Sequence, residues 1–141
     1  MSMMEAVQTV FQKYIDPNGR ASRSEYWYFV LFNFCVGLVL GGLHRSSRVS
    51  IFGWISVLYG LAVILPEFMV EIRRLHDIGK SGLCILFVLI PVVGPILMLY
   101  WLCKDSQVGY NEYGPNPKGI GNVYDYDSYD SYGSYDSRPR F

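Results

Sequence analysis

The residues best suited to chemistry lie in one polar segment, Arg73-Arg74-Leu75-His76-Asp77-Ile78-Gly79-Lys80-Ser81-Gly82. Gly79-Lys80-Ser81 has the ending of a phosphate-binding loop. Such a loop also needs a glycine five residues before the Gly-Lys pair, and Arg74 occupies that place. No strand is predicted before the segment either. The sequence therefore does not indicate nucleotide binding.

His76 has acidic neighbours, Asp77, Glu71 and Glu67, with which it could form a metal site. The chain has two histidines in all, and no second histidine or cysteine lies nearby, so the metal interpretation is weak. We expect His76 to hydrogen-bond the end of a helix, and we expect no metal and no cofactor. No nucleophile, base and orienting group form a recognisable pattern, so we expect a protein that is not an enzyme.

The arginines offer a different chemistry, because a guanidinium binds a phosphate or a carboxylate through two hydrogen bonds at once. Basic groups between helices on the cytoplasmic side bind anionic lipid headgroups. Alternatively, the arginines pair with carboxylates and fix the helices relative to one another. The residues concerned, which we call the charged cluster, are Arg20, Arg23, Glu25, Glu71, Arg73, Arg74, His76 and Asp77. The pairs expected in the second case are Arg20 or Arg23 with Glu71 or Asp77, and Arg73 or Arg74 with Glu25 or Glu67.

The elements that position this cluster are predicted to be membrane helices. Hydrophobic residues make up 51% of the 141 residues and charged residues 17%, whereas about 25% charged residues is usual in a soluble domain. The charges are clustered, which leaves long apolar runs between them. The formal net charge is zero, so there is no electrostatic case for nucleic acid as a partner. The N-terminus also lacks the pattern of a secretory signal peptide.

Three apolar runs predict an all-α membrane bundle with three transmembrane helices. The predicted spans are about 26–43, 50–70 and 83–103. The first follows Ser22-Arg23-Ser24-Glu25, which fits a capping box, so its helix should begin near Arg23. The same run contains the GxxxG pattern Gly37-Leu38-Val39-Leu40-Gly41. Packing within the chain is the first interpretation of this pattern, and a homo-oligomer interface is the alternative.

The flanks of the predicted membrane domain, residues 20–117, differ in character. Residues 1–19 predict a short amphipathic helix with an apolar stripe and a turn. This helix either lies in the membrane interface or packs on the membrane domain. Residues 118–141 are rich in Tyr, Asp and Ser and lack apolar periodicity, so we expect a disordered tail. The members of the predicted apolar stripe are Met4, Val7, Phe11 and Tyr14, with Val10 beside them.

The third apolar run is interrupted by Pro91, Gly94 and Pro95. The interruption predicts either one kinked span or a helical hairpin that re-enters on one side. With three spans the two termini would lie on opposite sides of the membrane. The distribution of Lys and Arg favours a cytoplasmic N-terminus and a cytoplasmic Arg73–Lys80 loop in a multi-pass plasma-membrane protein.

Three motifs in order resemble a known family, the YhaH-like bacterial inner-membrane proteins, described as domain of unknown function eight-oh-five. The motifs are Gly19-Arg20-Ala21-Ser22-Arg23-Ser24-Glu25-Tyr26-Trp27, Arg73 to Gly82, and Asn111-Glu112-Tyr113-Gly114-Pro115-Asn116-Pro117. The resemblance covers roughly residues 5–117. It departs at Leu83, where the family usually has an aromatic residue, and in the tail. The resemblance implies a small multi-span plasma-membrane protein and supplies no activity, substrate or catalytic residue.

Three classes of function follow from the sequence. The first is a non-enzymatic membrane protein whose charged cluster organises the helices and contacts anionic lipid or a partner. The second is a small transporter or channel that uses Glu67 and the interrupted third helix, and it would be a homo-oligomer because three helices enclose little space. The third is a membrane enzyme acting on a lipid or phosphate substrate, which would depend on His76 or Asp77.

Overall fold

The chain folds into helices joined by short connections. The computed structural model describes residues 1–47 and 50–122, and over these residues it contains no strand. The elements in chain order are α1 Met3–Gln12, α2 Arg23–Ser47, α3 Ser50–Asp77, a 3-10 helix Gly82–Leu89, and α4 Val93–Cys103. The predicted all-α class is confirmed. Residues 123–141, most of the predicted tail, lie outside the described residues, so the tail stays a prediction.

Helix α1 packs on the membrane helices along one face. Ser2 accepts a hydrogen bond from the Glu5 amide and the Glu5 carboxylate accepts one from the Ser2 amide, so a capping box begins the helix. Val7 and Val10 are buried in a cluster with residues of α2, α3 and α4, whereas Met4 is 63% exposed. The predicted stripe was therefore partly wrong, because Met4 is exposed whereas Ala6, which lies outside the stripe, is 0% exposed.

Helices α2 and α3 form an antiparallel pair of membrane length. They contain 25 and 28 residues, with a mean hydropathy of 1.7 and 1.8 in their most apolar windows. At about 1.5 Å per residue both exceed the roughly 30 Å of a bilayer core. Only 6% and 17% of those windows is buried, so the apolar side chains point outward. An outward apolar surface is what lipid requires, whereas a core helix of a soluble protein would be mostly buried.

The GxxxG pattern of α2 departs from its first interpretation, which was packing within the chain. Added Cβ atoms at Gly37 and Gly41 would meet nothing within 4 Å, so the GxxxG face does not pack within the chain.

Pro66 lies inside α3 and has no N–H to donate to the carbonyl of Ala62, four residues earlier. The Tyr14 hydroxyl donates to that carbonyl instead. The connection after α1 thus satisfies the polar group that Pro66 leaves free.

The third apolar run is not a single helix. Its 3-10 half and α4 pack against each other, and Gly94 lies so close to the carbonyl of Phe87 that a Cβ atom there would collide with it. The bend includes Val92 with a φ of 65°, an unfavourable conformation for a β-branched residue. With 11 residues, α4 is shorter than the roughly 17 needed to span a bilayer. The count of three spans is therefore not confirmed.

Both outer ends of this broken run meet the C-terminal end of α3. At its start, the Lys80 ammonium lies 4.6 Å from the centre of the Trp101 ring in α4. At its far end, the carbonyls of Leu102 and Lys104 accept hydrogen bonds from Arg74. The run consequently leaves α3 and returns to the same end of it, and this brings residues 104–122 beside the start of α2.

Candidate functional site

The charged cluster is built on the polar end of α3. This helix ends in a Schellman motif, in which the Gly79 amide donates to the His76 carbonyl and the Lys80 amide donates to the Leu75 carbonyl. Gly79 has a φ of 73°, so it is the expected left-handed residue that follows the helix. The turn leaves the side chains of the last helical turns facing the neighbouring loops. Arg73, Arg74 and Asp77 among them are 0% exposed.

Arg20 is the centre of the cluster. Its Nε donates to Asp77 Oδ1 at 3.0 Å, and Nη2 donates to the Asp77 carbonyl at 3.2 Å. Its other bonds go to backbone carbonyls of the segment after α4: Gln107 at 2.5 Å, Gly109 at 2.7 Å and Gly114 at 3.2 Å. One buried guanidinium thus joins the segment before α2, the end of α3 and the segment after α4.

Asp77 supplies the negative charge that pairs with the buried guanidiniums of Arg20 and Arg74. Its Oδ1 accepts from Arg20, and its Oδ2 accepts from Arg74 Nη1 at 2.6 Å and from the Ser106 hydroxyl at 2.6 Å. Arg74 is 0% exposed and also donates to two carbonyls at the end of α4. A buried carboxylate between two guanidiniums offsets the desolvation that each charge would otherwise suffer. The predicted pair of Arg20 with Asp77 is present in the structure.

Arg73 forms the second predicted pair, with Glu25. Its Nη1 donates to Glu25 Oε1 at 2.7 Å, and both side chains are buried. This pairing explains why the capping box at the start of α2 is incomplete. The Glu25 amide donates to the Ser22 hydroxyl as expected, but the Glu25 carboxylate is engaged by Arg73 instead of by the cap amide. The backbone carbonyl of Arg73 also accepts from the Ala21 amide at 3.0 Å.

His76 lies at the edge of the cluster in an aromatic stack. Its ring is parallel to that of Tyr113, with 3.8 Å between centroids, and its Nδ1 is 3.3 Å from the Gly19 carbonyl. The amide nitrogen of Asn111 donates to the His76 carbonyl at 2.8 Å. The ring thus faces loop backbone and an aromatic side chain, so the prediction that His76 hydrogen-bonds the end of a helix was wrong. Among residues 1–47 and 50–122, no three His, Cys, Asp or Glu side chains gather as metal ligands would.

Two members of the predicted cluster lie apart from it. Glu71 is half-buried, as is Glu67 one turn earlier. Neither carboxylate forms an ion pair within the described part of the chain. Arg23 is exposed, and likewise no carboxylate lies within ion-pair distance of it among the described residues. The structure therefore brings five of the eight residues into two buried ion-pair groups and leaves Arg23, Glu71 and His76 outside them.

The loop after α4 contributes side chains that the predicted cluster did not include. Asn116 is 3% exposed and donates to the Gln107 carbonyl at 2.8 Å. Its own side-chain oxygen accepts from the Lys118 amide at 2.7 Å. Asn111 also bonds α3, as described above. The signal was present in the turn-rich motif from Asn111 to Pro117, since asparagine side chains commonly bond nearby backbone in turns.

Comparison with known proteins decides the family. The model of the family described as "Protein of unknown function (DUF805)" matches residues 14–115. The chain belongs to this family. It is 38% identical over 112 residues to "Inner membrane protein YhaH" of Escherichia coli strain K12, which covers 77% of this chain and 93% of that protein. It is 36% identical over 115 residues to "Inner membrane protein YhaI" of the same strain, which covers 82% and 97% respectively. No solved structure matches.

This DUF805 chain is therefore an inner-membrane protein with transmembrane helices. The family match includes every contact that joins Arg20, Asp77 and the loop after α4. The expected resemblance to the YhaH-like proteins is confirmed. The buried arginines of the cluster each pair with a carboxylate, and Arg20 and Arg74 also donate to backbone carbonyls.

Proposed function

We propose that this protein is a non-enzymatic inner-membrane protein whose charged cluster holds the helices together at the cytoplasmic face, where it also contacts anionic lipid. The observation that supports the first half is that Arg20 bonds its own segment before α2 to two others, the end of α3 and the segment after α4. Lipid tails provide no hydrophobic driving force between helices, so polar contacts and close packing must hold them. A cluster at one end of the bundle supplies such contacts where water ends and lipid begins.

The cytoplasmic orientation rests on the positive-inside rule. Because the broken third run returns to α3, Lys104 joins the N-terminal side instead of the opposite side, which widens the asymmetry. The basic residues at the end that carries the cluster are Lys13, Arg20, Arg23, Arg73, Arg74, Lys80, Lys104 and Lys118. At the opposite end, Arg45 lies in the last turn of α2 and Arg48 follows that helix in the sequence.

The topology proposed with this function has two spans, α2 and α3, and a hairpin made of the 3-10 helix and α4 that re-enters from the cytoplasm. The short length of α4 and the contacts at both ends of the run support it. Reporter fusions test this topology directly. A cytoplasm-active fluorescent protein and an export-active phosphatase are each fused after Lys80 and after Phe141.

Two spans predict fluorescence and no phosphatase activity at both positions. A phosphatase reporter inserted after Ser47 serves as the positive control for the periplasmic side. Phosphatase activity at Phe141 together with fluorescence at Lys80 would establish three spans and refute the hairpin.

The lipid half of the proposal is tested by stabilisation. A ligand that binds the folded protein raises its unfolding temperature in proportion to the logarithm of ligand concentration. Delipidated protein in detergent should melt at a higher temperature with phosphatidylglycerol than with phosphatidylcholine of the same acyl chains. Equal melting curves with the two lipids would refute a preference for anionic lipid.

Transport by an oligomer is the second candidate function. It is favoured by Glu67, a half-buried carboxylate of α3 that has no ion pair within the described residues, because ionisable groups inside spans commonly mark ion pathways. The test is proton flux into liposomes that contain the protein. Flux that Glu67→Gln abolishes and Glu5→Gln preserves would support transport. Wild-type flux no greater than that of empty liposomes would exclude a proton path.

A further inference from the structure

A cavity lies on the surface of the end that carries the charged cluster, and its residues take no part in the buried ion pairs of that cluster. It has a volume of about 360 Å³ and is lined by Arg23, Ser24, Trp27, Tyr28 and Lys118. Four of these residues belong to the first turns of α2, and Lys118 reaches them from the segment after α4. The cavity is therefore at the junction between the apolar span and the polar end, which is the depth of lipid headgroups.

The charge in this cavity is positive and belongs mainly to Arg23. Lys118 Nζ lies 2.5 Å from Asp105 Oδ1, so these two charges largely offset one another. The hydrogen bond from Lys118, followed by that from the Ser106 amide, holds the pKa of the Asp105 carboxyl below its ordinary value. The Asp105 carboxylate thus engages Lys118 and also interacts with the charge of Arg23, whose guanidinium is exposed and forms no ion pair in the described chain.

Arg23 differs in this respect from the other arginines of the cluster. Arg20, Arg73 and Arg74 are buried, and each pairs with a carboxylate. Arg23 is separated from Arg20 by only two residues, yet the helix turns its side chain away from these carboxylates. Among the arginines of the charged cluster, Arg23 is thus the one whose guanidinium, with its planar set of donors, is available to a ligand that carries two adjacent acceptor oxygens.

The aromatic lining indicates what the rest of the ligand must be. Trp27 is half-buried and Tyr28 is 37% exposed. Rings of this kind prefer the boundary between headgroups and acyl chains. Ser24 adds a hydroxyl, which lies 3.0 Å from that of Ser22. A ligand with a phosphate at Arg23 and an apolar continuation beside Trp27 would match both parts of the cavity.

We propose that this cavity binds the phosphate of an anionic phospholipid, with its acyl chains leaving past Trp27 along the surface of α2. The proposal rests on the lipid contact in the proposed function and assigns that contact to particular residues. A zwitterionic choline lipid fits less well, because its ammonium group would lie close to the guanidinium of Arg23. The buried arginines then maintain the fold, and Arg23 binds the lipid.

The test uses the full-length protein, delipidated in detergent and titrated with phosphatidylglycerol, phosphatidylcholine or inorganic phosphate. Binding is measured by the rise in unfolding temperature and by lipid retention in native mass spectrometry. One basic residue near an anionic lipid surface is worth about 1 kcal/mol, roughly a fivefold change in affinity. Arg23→Gln should therefore weaken phosphatidylglycerol binding at least about fivefold, and Arg23→Lys should weaken it less. Arg45→Gln, an exposed arginine at the opposite end of α2, is the matched control and should leave it unchanged.

The outcomes separate this site from the more general proposal. If the wild type prefers phosphatidylglycerol and Arg23→Gln binds it equally well, the lipid contact stands but the assigned cavity is wrong. If the wild type shows no preference between the two lipids, the lipid contact itself is refuted. If inorganic phosphate stabilises the protein as much as phosphatidylglycerol does, the cavity holds a soluble anion and the lipid assignment is overturned.

Discussion

Removal of the Arg20 side chain is the sharpest test of how this protein is held together. Arg20 donates five hydrogen bonds, two to Asp77 and three to backbone carbonyls of the loop after α4. In Arg20→Ala the carboxylate of Asp77 keeps Arg74 and Ser106 as partners. The main loss therefore falls on the carbonyls, which lose a charged donor, and on the attachment of the loop.

The magnitude follows from these contacts. Removing one partner of a buried ion pair costs about 3–5 kcal/mol when the other charge is left alone. Asp77 is not left alone, and the carbonyls lie close enough to the surface to find water, so we expect the lower end, about 3 kcal/mol. That corresponds to roughly a hundredfold change in the unfolding equilibrium. Arg20→Lys keeps the charge but not the planar fork, so it should lose about half as much.

The assay is unfolding of the purified protein in lipid-free detergent, followed by tryptophan fluorescence and circular dichroism. Arg23→Ala is the matched control, because it removes the same type of side chain nearby from an exposed position. It should change the free energy of unfolding by no more than about 0.5 kcal/mol. Amide exchange in residues 105–117 should rise in Arg20→Ala before the helices exchange. If Arg20→Ala and Arg23→Ala unfold alike, Arg20 does not hold these segments together.

Three further predictions concern the membrane part of the fold. Tyr14→Phe should destabilise the protein by about 1 kcal/mol in unfolding assays, and the loss should shrink in a Pro66→Ala background, where the helix supplies its own donor; an unchanged loss would refute this coupling. Gly94→Ala should lower the unfolding temperature because a Cβ atom there collides with backbone, while Gly60→Ala, with open space around it, should not; equal effects would count against the hairpin packing. Val92→Gly should raise stability by about 1–2 kcal/mol by relieving its positive φ, and a loss of stability would show that the valine side chain matters more than the strain.

Several parts of the fold could be predicted from local sequence. The start of α2 near Arg23 and the end of α3 before Gly79 follow from capping chemistry, which involves residues only a few positions apart. The two long spans follow from uninterrupted apolar residues. The pairs of Arg20 with Asp77 and Arg73 with Glu25 could be named among the alternatives, because opposite charges at one membrane face have few other partners.

Other parts depended on contacts between distant residues. The sequence shows that Pro66 frees a carbonyl, but not that Tyr14 reaches it. Packing also decided that Arg23, rather than Arg20, remains exposed, although both are arginines in the same short motif. The two interpretations of the GxxxG pattern differ only in what faces the glycines, and that depends on the rotation of α2 about its axis.

By itself the sequence determined that this is a helical membrane protein with a polar, arginine-rich end, because apolar run length and local capping are properties of neighbouring residues. Only the tertiary structure decided that the third apolar run folds back on itself. A proline and glycine break permits either a kink or a hairpin, and the choice depends on whether the far end finds partners at α3. It does, through the carbonyls of Leu102 and Lys104 that Arg74 binds, because a buried guanidinium needs acceptors that its own helix cannot supply.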